Sequence, residues 1–405
     1  MKANSLTVRS LNPKKMQTGL DVLLSHPEKS KKWGRCGLLC NQASVSKNFT
    51  PSWTVLHQIL GKRLTTLFGP QQGFYGTLQY NMEESVHEIH PDLKIPIYSL
   101  YSETRKPTPE MLANIDTLII DLQLSGCRIY TFKQTIAACL EAAREQGKHV
   151  VILDRPNPLG GEVLEGRTLA DDCRSFVGSF PIPMRHGLTT AECARLFNFT
   201  IHAELEVIKL KNWSPEFYWH DLQMPWVVLT VGVPTIDSIY VYPGMVLFEG
   251  TNLSEGRGTT LPFQFIGAPY IKDASLWKKR ILQILKSDST GVFLREAQFK
   301  PMFNKHAGLV CNGLNLIVTK PKSIRSFDLS VAMIRAAFEL YPAEFKWQEP
   351  PYEYVYDQLP IELLIGARTA SQKLTAEKFS LKDPFWHAGI KKFSEEVTDF
   401  HLYSR

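Results

Sequence analysis

The segment "TLIIDLQLSGCRIYTFKQTIAACLEAAREQGKHVVILD" (residues 117–154) decides the fold of this chain. Apolar, β-branched runs lie at both of its ends, over 117–123 and 149–154, and residues 133–148 between them have the amphipathic spacing of a helix. A strand, a helix and a second strand in this order form a βαβ unit with parallel strands. The segment therefore predicts an α/β fold.

The same alternation extends towards the N-terminus and predicts a parallel sheet over about residues 35 to 155. Downstream, strands and helices are mixed, and we place a domain boundary near residue 200, because 405 residues exceed one ordinary core. This predicts two domains, 1–200 and 201–405. The further predicted strands are 36–41, 64–68, 95–101, 204–210 and 314–318, and the further predicted helices are 52–60, 108–115, 189–198 and 330–341.

Bulk properties argue against several classes of partner. The 46 basic and 40 acidic residues give a net charge of +6 without basic blocks, so a nucleic-acid partner is not expected. No apolar run reaches the roughly 18 residues that a membrane span needs, and the N-terminus lacks the apolar core of a secretory signal. We therefore predict a cytoplasmic protein without a membrane span; the oligomeric state is left open by the sequence.

Motif searches argue against metal and cofactor sites. The seven cysteines include no CxxC pair, and no HExxH spacing occurs. Neither GxGxxG nor GxxxxGK[ST] accompanies the strands. We therefore predict no metal and no cofactor.

Hydrogen-bonding side chains follow the predicted strands, where open parallel sheets bind their ligands. The acids in this set have an alternative role as helix caps, and Asp154 has a further alternative as the local partner of Arg155. His186 lies beside a glycine in a later polar turn. The candidate ligand-binding residues at the strand ends are Asn41, Gln71, Gln72, Arg105, Asp121, Gln123, Asp154, Arg155 and Asn157.

The segment "LFEGTNLSEGRGTT" (247–260) is the strongest candidate for chemistry. Glu249 and Glu255 lie on a glycine-rich stretch with Arg257, an arrangement that suits acid–base catalysis on a polyol. Pairing of these acids with Arg257, or capping of helices, is an equally weighted alternative. The segment therefore predicts either a carboxylate pair for catalysis or a structural ion-pair cluster.

The chain contains, in this order, the strings "FGPQQGF", "YSLYSETRKPTPEML", "IIDLQLSGCRIYTF", "VILDRPNPLGG", "SFPIPMRHGLT", "YPGMVLFEGTNLSEGRGTTLPF" and "KHAG". Together these motifs resemble the family of exo-acting β-N-acetylmuramidases typified by NamZ. The resemblance implies a Rossmann-like N-terminal domain packed tightly against a mixed α/β C-terminal domain, with the site in the cleft between them. It also implies hydrolysis of terminal N-acetylmuramic acid from the non-reducing end of peptidoglycan fragments, so the expected partner is a small saccharide or muropeptide.

The lactyl carboxylate that distinguishes muramic acid from glucosamine is best matched by a guanidinium, which donates two parallel hydrogen bonds. Four arginines lie in polar turns of the matching motifs, and we expect at least one to bind this carboxylate. Pairing with neighbouring acids to order the loops is the alternative for some of them. The four are Arg105, Arg155, Arg185 and Arg257.

The chain departs from this family in the turn "FGPQQGF" (68–74). The family typically has Glu-His where Gln71 and Gln72 stand here, and its glutamate is a leading candidate for a catalytic carboxylate. An amide keeps the shape of a glutamate but does not exchange a proton near neutral pH.

This departure leaves three functions open. The first is a glycosidase that relies on Glu249, Glu255 and Glu165. The second is a saccharide-binding homologue without turnover, and the third is an enzyme for a changed substrate. The loss of the turn carboxylate predicts weak or absent hydrolysis with binding retained, and a gain in turnover on Gln71→Glu.

Overall fold

The computed structural model describes residues 15–78, 82–286 and 291–405. Over these ranges the chain forms a parallel sheet flanked by helices and, later in the sequence, a small antiparallel sheet. The strands are β1 Cys36–Cys40, β2 Leu64–Gly69, β3 Glu88–Ile89, β4 Pro96–Ser99, β5 Thr117–Asp121, β6 His149–Leu153, β7 Glu165–Thr168, β8 Pro183–Arg185, β9 Leu205–Ile208, β10 Phe265–Ala268, β11 Val292–Phe299 and β12 Cys311–Val318. The helices are α1 Gly19–Ser25, α2 Ser52–Leu60, α3 Pro109–Leu112, α4 Phe132–Glu145, α5 Thr190–Ile201, α6 Ile236–Met245, α7 Ala274–Leu285, α8 Ser326–Leu340, α9 Pro360–Ile365, α10 Ala370–Thr375 and α11 Ile390–Glu396.

The large sheet has seven strands in the order β3-β4-β2-β1-β5-β6-β9. All neighbouring pairs are parallel except β3 with β4. The strand order thus proceeds outward on both sides of the central pair β1 and β5, which is the Rossmann arrangement. The predicted α/β fold is confirmed, and the strand order places the expected ligand crevice at the carboxyl ends of β1 and β5, where the order reverses.

The register brings the predicted polar strand ends to one edge of the sheet. Cys40 at the end of β1 is paired with Asp121 at the end of β5, and Gly69 at the end of β2 is paired with Ser99 in β4. The residues that follow these positions therefore leave the sheet side by side. Strand β4 is shorter than the predicted run 95–101.

The later part of the chain builds the antiparallel sheet β10-β12-β11, on which α7 packs, and α8 packs against α7 and α6. Strands β10 and β11 were not predicted. One hydrophobic cluster includes Leu118 and Ile136 of the parallel-sheet region together with Leu314 and Trp277 of the antiparallel region. The two sheets therefore share a continuous core. The domain boundary near residue 200 stays a prediction.

Helix α5 begins as the sequence predicts. The Thr189 hydroxyl accepts a hydrogen bond from the Glu192 amide at 3.2 Å, and the Glu192 carboxylate accepts one from the Thr189 amide at 3.0 Å. This capping box satisfies two amides that the helix leaves unpaired. Glu192 therefore serves the fold at this position.

Two further features concern the helices and the cysteines. Within the three described ranges, every helix is too short or too polar to cross a bilayer. All seven cysteines are buried and free of disulfide bonds.

Candidate active site

A pocket of about 500 Å³, counting the part that is open to solvent, lies beyond the carboxyl ends of β2 and β5. Segments from distant parts of the chain meet around it. The lining residues are Gln71, Gln72, Ile129, Tyr130, Thr131, Phe132, Val177, Thr230, Gly232, Val233, Tyr242, Glu249, Arg257, Phe263, Tyr352 and Glu353.

The turn after β2 places both glutamines at the pocket. The Gly73 amide donates to the Pro70 carbonyl at 3.0 Å, which closes a four-residue turn, and Gln72 adopts a positive φ of 71° inside it. Gly69 has no room for a side chain, because a Cβ there would lie 2.7 Å from the Phe74 amide nitrogen. The sharp turn therefore directs Gln71 and Gln72 inward, as the sequence predicts for Gln71.

The Gln71 amide is held from both ends. The Thr131 hydroxyl, in the loop after β5, donates to its Oε1. Its Nε2 donates to Oε1 of Glu353 over 3.4 Å. Gln71 therefore faces a carboxyl group that lies 282 residues further along the chain.

Glu353 is buried, and its Oε2 accepts a hydrogen bond from the Tyr101 hydroxyl at 3.0 Å. It belongs to a tight turn in which Tyr352 and Val355 exchange two backbone hydrogen bonds of 3.0 Å. Both central residues of this turn have positive φ, 44° at Glu353 and 67° at Tyr354. Asn-Gly is the usual sequence for such a turn, so the backbone holds the Glu353 carboxyl in the pocket in a strained conformation.

Burial raises the pKa of Glu353 above the ordinary glutamic acid value, and the nearby negative charge of Glu249 raises it further. Hydrogen bonds from Tyr101 and Gln71 and the charge of Arg105 act in the opposite direction without cancelling the rise. The Glu353 carboxyl therefore holds its proton to a higher pH than an exposed glutamate does.

Glu249 also lines the pocket and lies in a 3₁₀ turn, Val246–Gly250, that continues from α6. Its Oε1 accepts from Arg257 at 2.8 Å and its Oε2 accepts from the Tyr352 hydroxyl at 2.6 Å. Burial lowers the pKa of Arg257, but the carboxylates of Glu249 and Glu255 outweigh burial and raise it above the ordinary value. Glu249 is therefore the carboxylate partner of a permanently charged guanidinium.

Glu255 is buried behind this pair and does not line the pocket. Its carboxylate lies 2.9 Å from the Lys305 ammonium and 3.5 Å from Nε of Arg257. Burial raises the pKa of Glu255, but these two cations outweigh burial and lower it below the ordinary value. This geometry suits a residue that positions Arg257.

Two buried polar atoms on uncharged side chains of the pocket wall lack a hydrogen-bond partner within the described part of the chain. They are Oε1 of Gln72 and the hydroxyl of Tyr130. A buried polar atom without a partner is costly, so such atoms commonly bind water or a ligand. These two atoms are suited to contact the hydroxyl or amide groups of a sugar.

The four predicted arginines have different surroundings. Arg155 forms a bidentate pair with Asp121, at 2.6 and 2.8 Å, and Arg185 pairs with Glu165 at 2.7 Å. Both pairs are buried away from the pocket lining. Glu165 also accepts from the Phe327 amide at the start of α8, so these residues join elements of the fold.

Arg105 is more available to a ligand than Arg155 and Arg185. Its guanidinium carbon lies 4.6 Å from the ring centre of Tyr101 and 4.3 Å from that of Tyr354, beside the Glu353 turn. It pairs at 3.2 Å with Glu84, whose side chain is half exposed, and its buried Nε has no partner within the described residues. Arg105 therefore presents an unused donor near the pocket.

The remaining predicted residues are not among those that line the described pocket. Asn41 donates to the Leu229 carbonyl at 3.0 Å and so fixes the segment that precedes Thr230 in the pocket wall. Asp154 accepts from Tyr403 and Thr189 in the core, and burial raises its pKa to about 7.

Three more predicted residues bind backbone atoms or lie in the core. Gln123 donates to the carbonyls of Leu124 and Pro156, and Asn157 donates to that of Leu188. Burial lowers the pKa of His186 to about 3. None of the three lines the described pocket.

Sequence reasoning missed Glu353, Tyr352 and Thr131. The stretch "PPYEYVYD" (350–357) carries a carboxyl between two tyrosines, which is a signal of a polar site in an aromatic wall, but no spacing links it to Gln71. Its place in the pocket depends on the tertiary fold.

The fold and the pocket define a Rossmann-like α/β protein with a carboxyl-bearing ligand site at the sheet edge. Residues 36–237 match the N-terminal domain of the family described as Exo-beta-N-acetylmuramidase NamZ, and residues 240–403 match its C-terminal domain. The chain belongs to this family. Peptidoglycan beta-N-acetylmuramidase NamZ of Bacillus subtilis (strain 168) is 43% identical to it over 335 residues, which are 82% of this chain and 80% of that protein.

Solved structures agree with the fold. A DUF1343 family protein from Bacteroides fragilis NCTC 9343 has a TM-score of 0.86 and 27% identity, covering 96% of this chain and 99% of that one. A second DUF1343 family protein from the same strain has a TM-score of 0.74 and 24% identity, with the same coverage of 96% and 99%. The second likeness bears on the fold alone.

Proposed function

We propose that this chain is an exo-acting glycoside hydrolase that removes N-acetylmuramic acid from the non-reducing end of peptidoglycan fragments. The observation that carries the proposal is a pocket with two buried carboxyl-bearing residues, Glu249 and Glu353, in a chain of the NamZ family. Glycoside hydrolysis usually needs two carboxyl groups beside the scissile bond.

Glu249 suits the carboxylate role in this reaction. Its two oxygens are held by Arg257 and Tyr352, which fixes the side chain towards the pocket. Glycosidases use such a group either as a base that activates water or as a nucleophile at the anomeric carbon. Both roles stay open for Glu249.

We propose that Arg105 binds the lactyl carboxylate of the muramic residue. Replacing it with alanine is expected to weaken binding of N-acetylmuramic acid about 10- to 100-fold, because a hydrogen bond to a charged group contributes about 1.5–3 kcal/mol. Binding of N-acetylglucosamine, which lacks the lactyl group, is expected to stay within about threefold. Calorimetric titration of both sugars measures the two affinities.

The control for this prediction is Arg35→Ala. Arg35 forms an exposed ion pair with Asp116 at 3.1 Å, at the start of β1 and β5, the opposite edge of the sheet from the pocket. An equal loss for both sugars in Arg105→Ala, or an unchanged preference for the muramide, would remove Arg105 from the specificity site.

A saccharide-binding protein without turnover is the second candidate function. It is favoured by Gln71 and Gln72, which bring two amides to the pocket. Such a protein would bind N-acetylmuramic acid with measurable heat but release no product. The enzyme proposal instead requires turnover, which the Glu249 and Glu353 carboxyls are placed to support.

Product analysis tests the proposed reaction. Fragments with muramic acid at the non-reducing end are expected to lose that residue one at a time, whereas fragments that end in glucosamine are expected to stay intact. Mass spectrometry of the digests distinguishes the two. Cleavage inside longer chains, or release of glucosamine, would contradict the exo-muramidase proposal.

We further propose a cytoplasmic site of action on recycled cell-wall fragments. The support is that all seven cysteines are free thiols, which is usual in a reducing compartment. Cell fractionation with detection of this chain tests the location. Recovery outside the cytoplasmic membrane would contradict it.

A further inference from the structure

We infer that Glu353 is the catalytic residue that gives a proton to the leaving glycosidic oxygen, a role that the amide of Gln71 does not fill. The inference rests on the proposed glycosidase function and names the acid of that same site. Within the described structure, Glu249 and Glu353 are the two carboxyl-bearing residues among those that line the pocket. The assignment of roles between them follows from their different surroundings.

Glu249 accepts a hydrogen bond from the positively charged guanidinium of Arg257 at 2.8 Å. The hydrogen bonds to Glu353 come from neutral groups, the Tyr101 hydroxyl and the Gln71 amide. Burial and the charge of Glu249 both raise the pKa of Glu353. Two carboxyls in such different surroundings commonly divide the acid and the base roles between them.

The backbone supports a functional reading of this residue. Glu353 and Tyr354 both occupy the left-handed region, where non-glycine residues are strained. The neighbouring side chains lock the turn, since the Tyr354 ring packs on Arg105 and the Tyr352 hydroxyl binds Glu249. A strained turn that delivers a buried carboxyl to a pocket is typical of a catalytic site.

Hydrolysis of the glycosidic bond balances with one water molecule. The bond between C1 of the muramic residue and the glycosidic oxygen breaks, the electron pair stays on that oxygen, and Glu353 protonates it. The remaining saccharide therefore leaves as an alcohol. In a single displacement Glu249 takes the spare proton of the attacking water; in a double displacement Glu249 first bonds to C1, and Glu353 regains its proton from the water that opens the ester.

A carboxyl at position 71 would change the pH dependence. Gln71 Nε2 lies 3.4 Å from the Glu353 carboxylate, so in Gln71→Glu two carboxyls would share this site and hold one proton more tightly. Activity requires a protonated Glu353 and is lost as pH rises through its pKa. The alkaline limb of kcat/KM is therefore expected to move up by about one pH unit or more. The titratable and charged groups that face Glu353 are Tyr101, Arg105, Glu249, Tyr352 and Tyr354.

The control for the pH shift is Gln72→Glu. This variant adds the same charge to the pocket from a side chain that makes no hydrogen bond to Glu353 in the described structure. Gln72→Glu is expected to move the alkaline limb of kcat/KM less than Gln71→Glu does. An unchanged profile in Gln71→Glu would contradict the role of Glu353.

Leaving-group dependence tests the inference directly. The sugar that leaves from a muramyl disaccharide needs a proton on its oxygen, whereas a nitrophenolate leaves without one. In Glu353→Gln, kcat on a muramyl disaccharide is expected to fall about 10²- to 10⁴-fold, and kcat on a nitrophenyl muramide to fall less than about tenfold. Glu353→Asp, which keeps the acid but shortens its reach, is expected to lie between these values, and Glu349→Gln, at an exposed position nearby, is the control.

Each outcome of the leaving-group experiment supports or overturns the role of Glu353. The expected split between the two substrates, with Glu349→Gln unchanged, supports the assignment. Wild-type turnover with an equal loss on both substrates, or with less than about a tenfold loss on the disaccharide, would overturn the role of Glu353 and leave the proposed function standing. Failure of the wild-type chain to turn over either substrate would overturn the proposed function, and this inference with it.

Discussion

Glu249→Gln is expected to lower kcat by about 10²- to 10⁴-fold, equivalent to roughly 3–5 kcal/mol of barrier. Whether Glu249 activates water or attacks C1, the step needs a carboxylate, and an amide supplies neither a base nor a useful nucleophile. The loss is therefore expected on both the disaccharide and the nitrophenyl substrate. Steady-state rates on the two substrates measure it.

A measurement of sugar binding separates this loss of kcat from disruption of the pocket. Glutamine has the size of glutamate, and Arg257 keeps Glu255 as a charge partner, so the affinity for N-acetylmuramic acid is expected to change little. Glu349→Gln again serves as the exposed control. A Glu249→Gln variant that keeps a rate within about threefold of the wild type would show that the carboxylate lies elsewhere.

Arg257→Met is expected to destabilise the fold by about 3–5 kcal/mol, the range observed when one partner of a buried ion pair is removed. Arg257 is buried and contacts both Glu249 at 2.8 Å and Glu255 at 3.5 Å. Without it, Glu249 becomes a buried carboxylate without its cation. Thermal or urea unfolding measures the loss, and activity is expected to fall as well, because the Glu249 carboxylate is no longer oriented.

The matched control is Arg280→Met. Arg280 also pairs with a glutamate, Glu339, at 2.5 Å, but its side chain is 38% exposed, and exposed pairs contribute only about 0–1 kcal/mol. A similar loss of stability in both variants would mean that the Arg257 cluster is no more than an ordinary ion pair.

The sequence predicted the parallel sheet because its strands are short apolar runs separated by helical patterns, and this signal is local. The position of Gln71 was predictable for the same reason, since a residue that directly follows a parallel strand lies at the ligand edge. The antiparallel strand β11 was missed. Its residues alternate between buried and exposed positions, and its pairing partner β12 alone had a clear apolar run.

The roles of single side chains were harder to predict because they depend on partners far away in sequence. Asp121, Asp154 and Glu165 looked like site residues, but their partners hold them in buried contacts. Glu353 had no local turn signal, since its turn uses Glu-Tyr where Asn-Gly would mark a turn. Its proposed role follows from its approach to Gln71 across 282 residues.

The most direct test of the central claim compares turnover with binding in the same preparations. The wild-type chain and the double variant Glu249→Gln, Glu353→Gln are each assayed on a nitrophenyl muramide and titrated with N-acetylmuramic acid by calorimetry. We expect repeated turnover by the wild type, none above background by the double variant, and binding by both. Binding without turnover in the wild type would contradict this account and show that the pocket with Gln71 and Gln72 holds the sugar without hydrolysing its glycosidic bond.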